Sequence, residues 1–289
     1  MDSNSVFRSR DQMPDPNTVT KVLTYRHTVL VRVSHWLNVV AILVLLMSGL
    51  QIFNAHPALY WGQKSAFADP WLSMGAINRG GSTIGVTSIG GQTFDTTGLF
   101  GYSGKAGVRE PRGFPAWATL PSYRTLADGR HWHFFFAWVF GLNGIFYLVG
   151  NLLNGHIRRD LLPARDQLTG KHLLHEIIEH IRLRFPKGEE ARRYNAIQKM
   201  TYLAVIFGLL PLMILTGLTM SPAVDASQPW LVPLFGGRQS ARSLHFICAN
   251  LIVLFVLVHV ALVIVVGFFN SMRSMITGRY TLHVERDAT

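Results

Sequence analysis

The chain has 289 residues, of which 49% are hydrophobic and only 15% are charged. Soluble domains carry about 25% charged residues, so this composition predicts an integral membrane protein, and basic loops at a membrane face explain the formal net charge of +11 better than nucleic-acid binding does. The single cysteine, Cys248, excludes a disulfide framework and a thiolate-ligated cluster within the chain.

Residues 1–26 are polar, and we expect them to form a partly disordered cytoplasmic arm. The first long apolar run follows, from about residue 28 to residue 53, and it is long enough to cross a bilayer as a helix. It contains Arg32 and His35 near its start. An arginine there can extend to the headgroups, but a histidine inside a span is usually functional. His35 is therefore a candidate ligand.

Residues 55–130 form a long polar connection that is rich in glycine, serine and threonine. Between residues 78 and 104, glycine clusters separate short β-branched runs, which predicts turns and a small hairpin. The segment lacks the G-x-x-x-x-G-K-[ST] pattern and so does not predict a phosphate-binding loop. A connection of this length usually has a function, and we expect an extracytoplasmic cap or a docking surface for a partner.

A second apolar run covers about residues 131–153 and opens with His131 and His133. The strongly basic residues 155–194 follow it, on the other side of the membrane. Within them, the apolar positions of residues 171–185 fall on one helical face, which predicts an amphipathic helix at the membrane surface. Three histidines in this helix are assigned to the solvated face rather than to a metal site: His172, His175 and His180.

A third run, about residues 200–220, has no histidine and contains Pro211, which is expected to kink it. The fourth run, about residues 244–269, contains His245 and His259. Fourteen steps of about 100° and 1.5 Å bring the two imidazoles within roughly 40° of each other around the helix and place them about 21 Å apart along it. One helix would therefore carry two imidazoles at two depths of the bilayer.

Four spans place both termini, residues 1–26 and the short tail of residues 270–289, on one side of the membrane. Eighteen of the 27 lysines and arginines fall on that side, and basic segments face the cytoplasm, so both termini are predicted to be cytoplasmic. The predicted fold is all-α and integral to the membrane. It is a four-helix bundle within residues 27–269, with a long extracytoplasmic loop and an interfacial amphipathic helix.

This topology sorts the histidines by depth. His133 and His245 fall near the outer face, whereas His35 and His259 fall towards the cytoplasm. Two imidazoles on one iron make a six-coordinate haem that exchanges electrons and leaves no position open for oxygen. Zinc would need three or four ligands at one point, which these depths prevent. We therefore predict two stacked haems, each held between a pair of histidines.

Arginines precede the two outer histidines by three residues, in the patterns Arg130-x-x-His133 and Arg242-x-x-His245. Residues three apart share a helix face, so these cations are candidates to bind haem propionates. The repeat favours His133 over His131 as the ligand. The candidate cofactor-binding arginines are Arg32, Arg130 and Arg242. Small residues that would let a flat macrocycle approach, or would equally serve ordinary helix packing, are Gly49, Ala137, Gly141, Gly144 and Ala249.

These residues resemble the bacterial four-helix di-haem cytochromes b, which are membrane subunits of nickel-iron hydrogenases and respiratory formate dehydrogenases. The matching features are R-V-S-H-W at Arg32–Trp36, the histidine that opens the second span, and the spacing of His245 and His259. Within that family the chain looks most like the thiosulfate reductase cytochrome b branch. That likeness lies in Y-N-A-I-Q-K-M-T-Y at Tyr194–Tyr202 and N-G-H-I-R-R-D-L-L-P at Asn154–Pro163.

The resemblance implies a place in the bacterial inner membrane and a quinone site near one haem. It also implies an extracytoplasmic molybdopterin oxidoreductase, or a c-type cytochrome, as the partner. It covers the four spans and the basic inner loop but leaves residues 78–104 unexplained. The residues that it implies as ligands of two b haems are His35, His133, His245 and His259.

We therefore expect a membrane subunit that transfers electrons between the quinone pool and an extracytoplasmic oxidoreductase. One alternative is a transporter or proton-relay protein that uses intramembrane histidines, although the sequence shows no inverted repeat of broken helices. Another is a self-contained enzyme with a pocket in the outer loop, for which that loop offers only scattered candidates such as His56 and Asp95. Cys248 is expected to be a small core residue.

Overall fold

A computed structural model describes residues 19–105, 107–153 and 196–285, together with the single positions 162, 169, 174 and 178. The predicted amphipathic helix of residues 171–185 lies outside the described residues except at Leu174 and Ile178. The three histidines of that segment, His172, His175 and His180, lie outside them as well.

Four helices are long and apolar enough to cross a membrane. The first span packs against the second, and the third packs against the fourth. The second and fourth begin several residues before the predicted limits because the helices continue through polar residues at their ends. The four spans are Val29–Phe53, Leu126–Leu153, Ala196–Thr219 and Arg238–Thr277.

Two of the spans are interrupted. The third consists of α-helix at Ala196–Leu203, a wide π-helical turn at Ala204–Leu209 and α-helix at Leu210–Thr219. The wide turn lies directly before Pro211, which has no backbone N–H to donate to the preceding turn. The fourth span is broken at Gly267, whose φ of 132° is accessible to glycine but strained for other residues.

The expectation of an all-α chain is wrong for the long connection between the first and second spans, which folds into antiparallel sheets rather than a small hairpin. The strands are β2 Ala58–Leu59, β3 Leu72–Arg79, β4 Ser82–Ile89, β5 Gln92–Asp95, β6 Gly101–Ser103 and β7 Glu110–Arg112. Strands β2 to β5 form a four-stranded sheet in the order β2-β3-β4-β5, and β6 pairs with β7. The two tight turns of the four-stranded sheet are Gly80-Gly81 and Gly90-Gly91, where all four glycines have positive φ, as tight hairpins require.

These strands and their connections, residues 55–105 and 107–125, form a cap that is bound to the start of the fourth span. The carbonyl oxygen of Gly62 accepts hydrogen bonds from the backbone N–H of Gln239 at 3.0 Å and of Ser240 at 3.1 Å. The Gln63 side chain accepts from the N–H of Arg238 at 3.0 Å. The cap therefore supplies acceptors for N–H groups at the helix start that have no partner within the helix.

A small apolar core joins the cap to two spans. Phe53 at the end of the first span packs with Leu59 and Leu72 of the cap. Phe246 of the fourth span stacks on Phe53 with 5.1 Å between ring centres. Because Phe246 directly follows His245, the cap lies at the same end of the bundle as this histidine.

The opposite end of the bundle is closed by the two ends of the chain. Strand β1, Val19–Tyr25, pairs antiparallel with β8, Arg279–Glu285, where the sequence predicted only an arm and a tail. Next to this sheet, the Arg32 guanidinium donates to the carbonyl oxygen of Ile276 and the Trp36 indole N–H donates to that of Met275. The start of the first span is therefore fastened to the end of the fourth.

We predict that Gly237→Ala will destabilise the protein more than Gly62→Ala does. A Cβ at Gly237 would lie 2.5 Å from the Gly62 backbone, at a φ of +115°. A Cβ at Gly62, where φ is +88°, would meet nothing within 4 Å, so this variant carries the backbone strain alone. Overpacking should make Gly237→Ala worse by about 1–3 kcal/mol in the free energy of unfolding, measured by denaturation of the purified protein in detergent. Equal losses would contradict the docking of the cap.

Candidate functional site

The four candidate ligand histidines form two pairs within the bundle. The ring centres of His133 and His245 are 6.3 Å apart and their planes cross at 64°. Those of His35 and His259 are also 6.3 Å apart, with planes crossing at 61°. These are the pairs that the depth argument predicted, one near each end of the bundle. Following the predicted topology, we call His133 with His245 the outer pair and His35 with His259 the inner pair. His131, the alternative to His133, is exposed and belongs to neither pair.

The separation within each pair fits one metal ion between two imidazoles. With a bond of about 2 Å from metal to nitrogen and roughly 1 Å from nitrogen to ring centre, two opposed imidazoles have centres about 6 Å apart. No group of three or more histidine, cysteine, aspartate or glutamate side chains converges on a metal site in the described part of the chain. The histidines therefore suit a metal that brings its own equatorial ligands, as haem iron does.

The hydrogen bonds of the outer pair fix which ring nitrogen is free. His133 Nδ1 lies 3.1 Å from the carbonyl oxygen of Leu45, and His245 Nδ1 lies 3.1 Å from that of Met213. A carbonyl oxygen only accepts, so Nδ1 must carry the hydrogen in both rings. In a neutral imidazole this leaves the Nε2 lone pair available to a metal.

A hydroxyl also faces each of these rings. Ser48 Oγ is 3.1 Å from His133 Nδ1, and Thr216 Oγ1 is 3.1 Å from His245 Nδ1. Both hydroxyl residues are fully buried. Each outer histidine is therefore held by a carbonyl and a hydroxyl from the span that packs against its own.

A glycine follows each hydroxyl residue and lies against the same ring. A Cβ at Gly49 would be 3.3 Å from His133 Cε1, and a Cβ at Gly217 would be 3.3 Å from His245 Cε1. Carbonyl, hydroxyl and glycine thus occupy the same relative positions in two spans, Leu45-x-x-Ser48-Gly49 and Met213-x-x-Thr216-Gly217. We call each of these three-residue sets a cradle. The cradles are the part of the site that the sequence analysis missed.

The inner pair has different surroundings. His259 stacks on Phe255 with 6.0 Å between ring centres, and His35 meets Trp36 edge-on at 5.5 Å. Among the described residues, neither ring shows a hydrogen bond to a carbonyl or hydroxyl like those at the outer pair. Aromatic contacts therefore surround this pair, where the outer pair has polar ones.

The three candidate arginines contact protein groups. Arg242 donates to the carbonyl oxygens of His56 at 2.6 Å and Ala58 at 3.1 Å. Arg32 donates to the end of the fourth span, as described above, but its buried Nε has no hydrogen-bond partner. Arg130 is exposed and lies 5.4 Å from the ring centre of Phe134. Arg242 therefore fastens the cap and Arg32 contacts the end of the fourth span, whereas Arg130 is exposed.

The candidates for a catalytic site within the cap are structural in this arrangement. His56 lies 3.0 Å from the Tyr60 hydroxyl, and burial, with the nearby Arg242 charge, holds its pKa below the usual value. Asp95 is exposed and accepts hydrogen bonds from the Thr97 side chain and backbone, which lower its pKa. Outside the cap, Cys248 of the fourth span is a buried free thiol, as predicted for a small core residue. These contacts hold turns and packing in place and do not assemble a nucleophile with a base.

The small residues predicted either to admit a flat macrocycle or to serve ordinary helix packing do not share one environment. Gly49 lies against a histidine ring, as described above. A Cβ at Gly141 or Gly144 would meet no atom within 4 Å, so these two positions of the second span are open towards their surroundings.

Comparison with known proteins places the chain among membrane cytochromes. Residues 26–278 match the family model described as prokaryotic cytochrome b561. A relative from Azospira oryzae is 27% identical over 252 residues, which cover 87% of this chain and 96% of the relative. It is described as a candidate protein-methionine-sulfoxide reductase subunit, YedZ1. No solved structure matches the chain.

We predict that Gly49→Ala and Gly217→Ala will each disturb the outer histidine pair and leave the inner pair intact. The added Cβ would press on Cε1 of the adjacent ring at 3.3 Å, so the ring must shift by a few tenths of an ångström. If His133 and His245 hold a haem, the expected result is a change in the visible spectrum of that haem. Gly208→Ala is the control, because its Cβ would meet nothing within 4 Å. Spectra identical to that of the control would contradict the contact.

Proposed function

Because the chain belongs to the prokaryotic cytochrome b561 family, we propose that its two histidine pairs bind two b-type haems and carry electrons through the membrane. Family membership makes the chain a membrane cytochrome b, and so a haem protein of electron transport. The number of haems, their ligands, the quinone and the partner are our proposal. The alternative of a transporter or proton-relay protein has no support from this family.

The observation that carries the proposal is the equal geometry of the two pairs. His133 with His245, and His35 with His259, each present two rings 6.3 Å apart from two different spans. A haem between such rings supplies a one-electron iron centre with both axial positions filled. The residues of the chain bind and orient this centre, and the apolar spans keep water away from it.

The two histidines of the fourth span define two levels along the membrane normal. His245 and His259 are fourteen residues apart on one helix, which is about 21 Å along its axis. The hydrocarbon core of a bilayer is about 30 Å thick. The ligand pairs therefore divide the crossing into two levels, one at the cap and one at the paired chain ends.

We propose that the chain ends face the cytoplasm and the cap faces outwards. Eighteen of the 27 lysines and arginines fall on the side of the termini, and such an excess faces the cytoplasm. The cap packs at the end of the bundle that holds His133 and His245. An extracytoplasmic partner would then dock close to the outer haem.

We propose a molybdopterin oxidoreductase as this partner and a membrane quinone as the other electron carrier. The Azospira oryzae relative is described as a subunit of a protein-methionine-sulfoxide reductase, which is an oxidoreductase of more than one subunit. The sequence likeness to cytochromes that serve molybdopterin enzymes supports the same kind of partner here. A c-type cytochrome is the other partner that this likeness allows.

Replacing single histidines tests the ligand assignment. His245→Ala should remove the outer haem and His259→Ala the inner one, because each loses one of two axial ligands. Haem content per chain should fall by about half in each variant. His131→Ala is the matched control, since this exposed neighbour of His133 should leave both haems in place. Full haem retention in the His245 and His259 variants would discredit the pairing.

Purification from native membranes in mild detergent tests the partner. The chain should bring down a protein that releases a fluorescent pterin on acid oxidation. Recovery of a protein with covalently attached haem, without any pterin, would instead favour a c-type cytochrome and contradict the molybdopterin partner.

A further inference from the structure

The hydroxyls of the two cradles hold a definite orientation towards the outer histidines. The Ser48 hydroxyl donates to the carbonyl oxygen of Val44 at 2.6 Å, and the Thr216 hydroxyl donates to that of Leu212 at 2.8 Å. Each proton is thus directed to its own helix. The oxygen lone pairs are left to accept from the histidine Nδ1–H at 3.1 Å.

Each outer Nδ1–H is therefore shared between two acceptors. The acceptors near His133 Nδ1 are the Leu45 carbonyl oxygen and Ser48 Oγ. Those near His245 Nδ1 are the Met213 carbonyl oxygen and Thr216 Oγ1, and all four distances are 3.1 Å. Donation from Nδ1 increases the electron density on the ring and makes Nε2 a stronger donor to iron. A stronger donor favours the ferric state over the ferrous state, which lowers the reduction potential.

We infer that Ser48 and Thr216 are positioning residues that lower the reduction potential of the outer haem. This inference rests on the proposed ligation of that haem by His133 and His245. The two hydroxyls act through the imidazoles and do not touch the iron. Among the described residues, the rings of His35 and His259 show no hydrogen bond to a carbonyl or hydroxyl like those at His133 and His245, so we expect the effect at the outer haem alone.

Comparison with a neighbouring threonine, Thr219, distinguishes the proposed role of Thr216 from ordinary packing. Thr219 lies in the same span as Thr216, is equally buried, and donates to the carbonyl oxygen of Leu215 at 2.8 Å. Serine and threonine often make this bond to the preceding turn within helices. Thr216 makes it as well but also faces a histidine. The contact with Nδ1 is the feature that a potential measurement should detect.

The experiment is a redox titration of the purified full chain followed by visible absorption. Ser48→Ala and Thr216→Val should each raise the midpoint potential of the outer haem and leave that of the inner haem unchanged. In the titration, the outer haem is identified as the redox component that is absent from the His245→Ala protein. The double variant should raise the outer midpoint further than either single variant does, because the two hydroxyls act through different ligands of the same iron.

Matched variants keep the result interpretable. Thr219→Val should leave both midpoint potentials unchanged. Ser48→Thr and Thr216→Ser keep a hydroxyl, so the outer haem should keep its wild-type midpoint potential. If valine disturbs folding at position 216, Thr216→Ala removes the hydroxyl without added bulk. Unchanged outer midpoints in haem-replete variants, or equal shifts of both haems, would overturn the inference.

Failure of this inference can be told from failure of the proposed function. A purified wild-type chain without haem, or outer haem retained in His245→Ala, would remove the proposed ligation itself. If ligation holds but Ser48→Ala and Thr216→Val leave the outer midpoint where it was, only the role of the hydroxyls is lost.

Discussion

Imidazoles placed among apolar helices must find partners for their polar ring nitrogens, and this requirement organises the structure around the His133–His245 pair. Lipid offers no hydrogen bonds, so a polar group within a span must find its partners in the protein or in a bound cofactor. At the outer pair, carbonyls and hydroxyls take the Nδ1–H groups of His133 and His245. The Nε2 lone pairs are then left for a metal, which ties cofactor binding to the way the helices pack.

The paired rings face each other only if each helix keeps its axial position and its rotation about its own axis. Contacts at both ends of the bundle hold the helices in this arrangement. At one end, Gly62 accepts from the first turn of the fourth span, and Arg242 donates to cap carbonyls. At the other end, strands β1 and β8 pair, and Arg32 binds the end of the fourth span. Each fastening lies near one histidine pair. Tertiary packing outside the spans therefore sets the geometry within them.

The helical part of this arrangement could be predicted because helix geometry is regular. A rise of about 1.5 Å per residue converts the spacing of His245 and His259 into depth, and alternating span directions then match each with its partner. The pairs seen in the structure follow from that arithmetic. Where the sequence predicted a kink in the third span, the structure has a π-helical turn before Pro211, which the proline alone did not indicate.

The remaining features depend on contacts between distant residues or on signals that were given too little weight. Strand β1 pairs with β8 across nearly the whole chain, and no local pattern reveals such a pairing. The Gly-Gly pairs of the cap were visible and are a strong hairpin signal, yet only a small hairpin was expected. The cradles escaped notice because spacing does not reveal which face of one helix meets a ring from another, although the repeat of Ser48-Gly49 as Thr216-Gly217 was readable.

Haem stoichiometry measures the central claim most directly. The purified full-length chain, with protein quantified by amino-acid analysis and haem by its pyridine derivative, should contain two non-covalent b haems per polypeptide. That result is required if His133 with His245, and His35 with His259, each hold one iron. A saturated value of one haem, or none, would contradict the account.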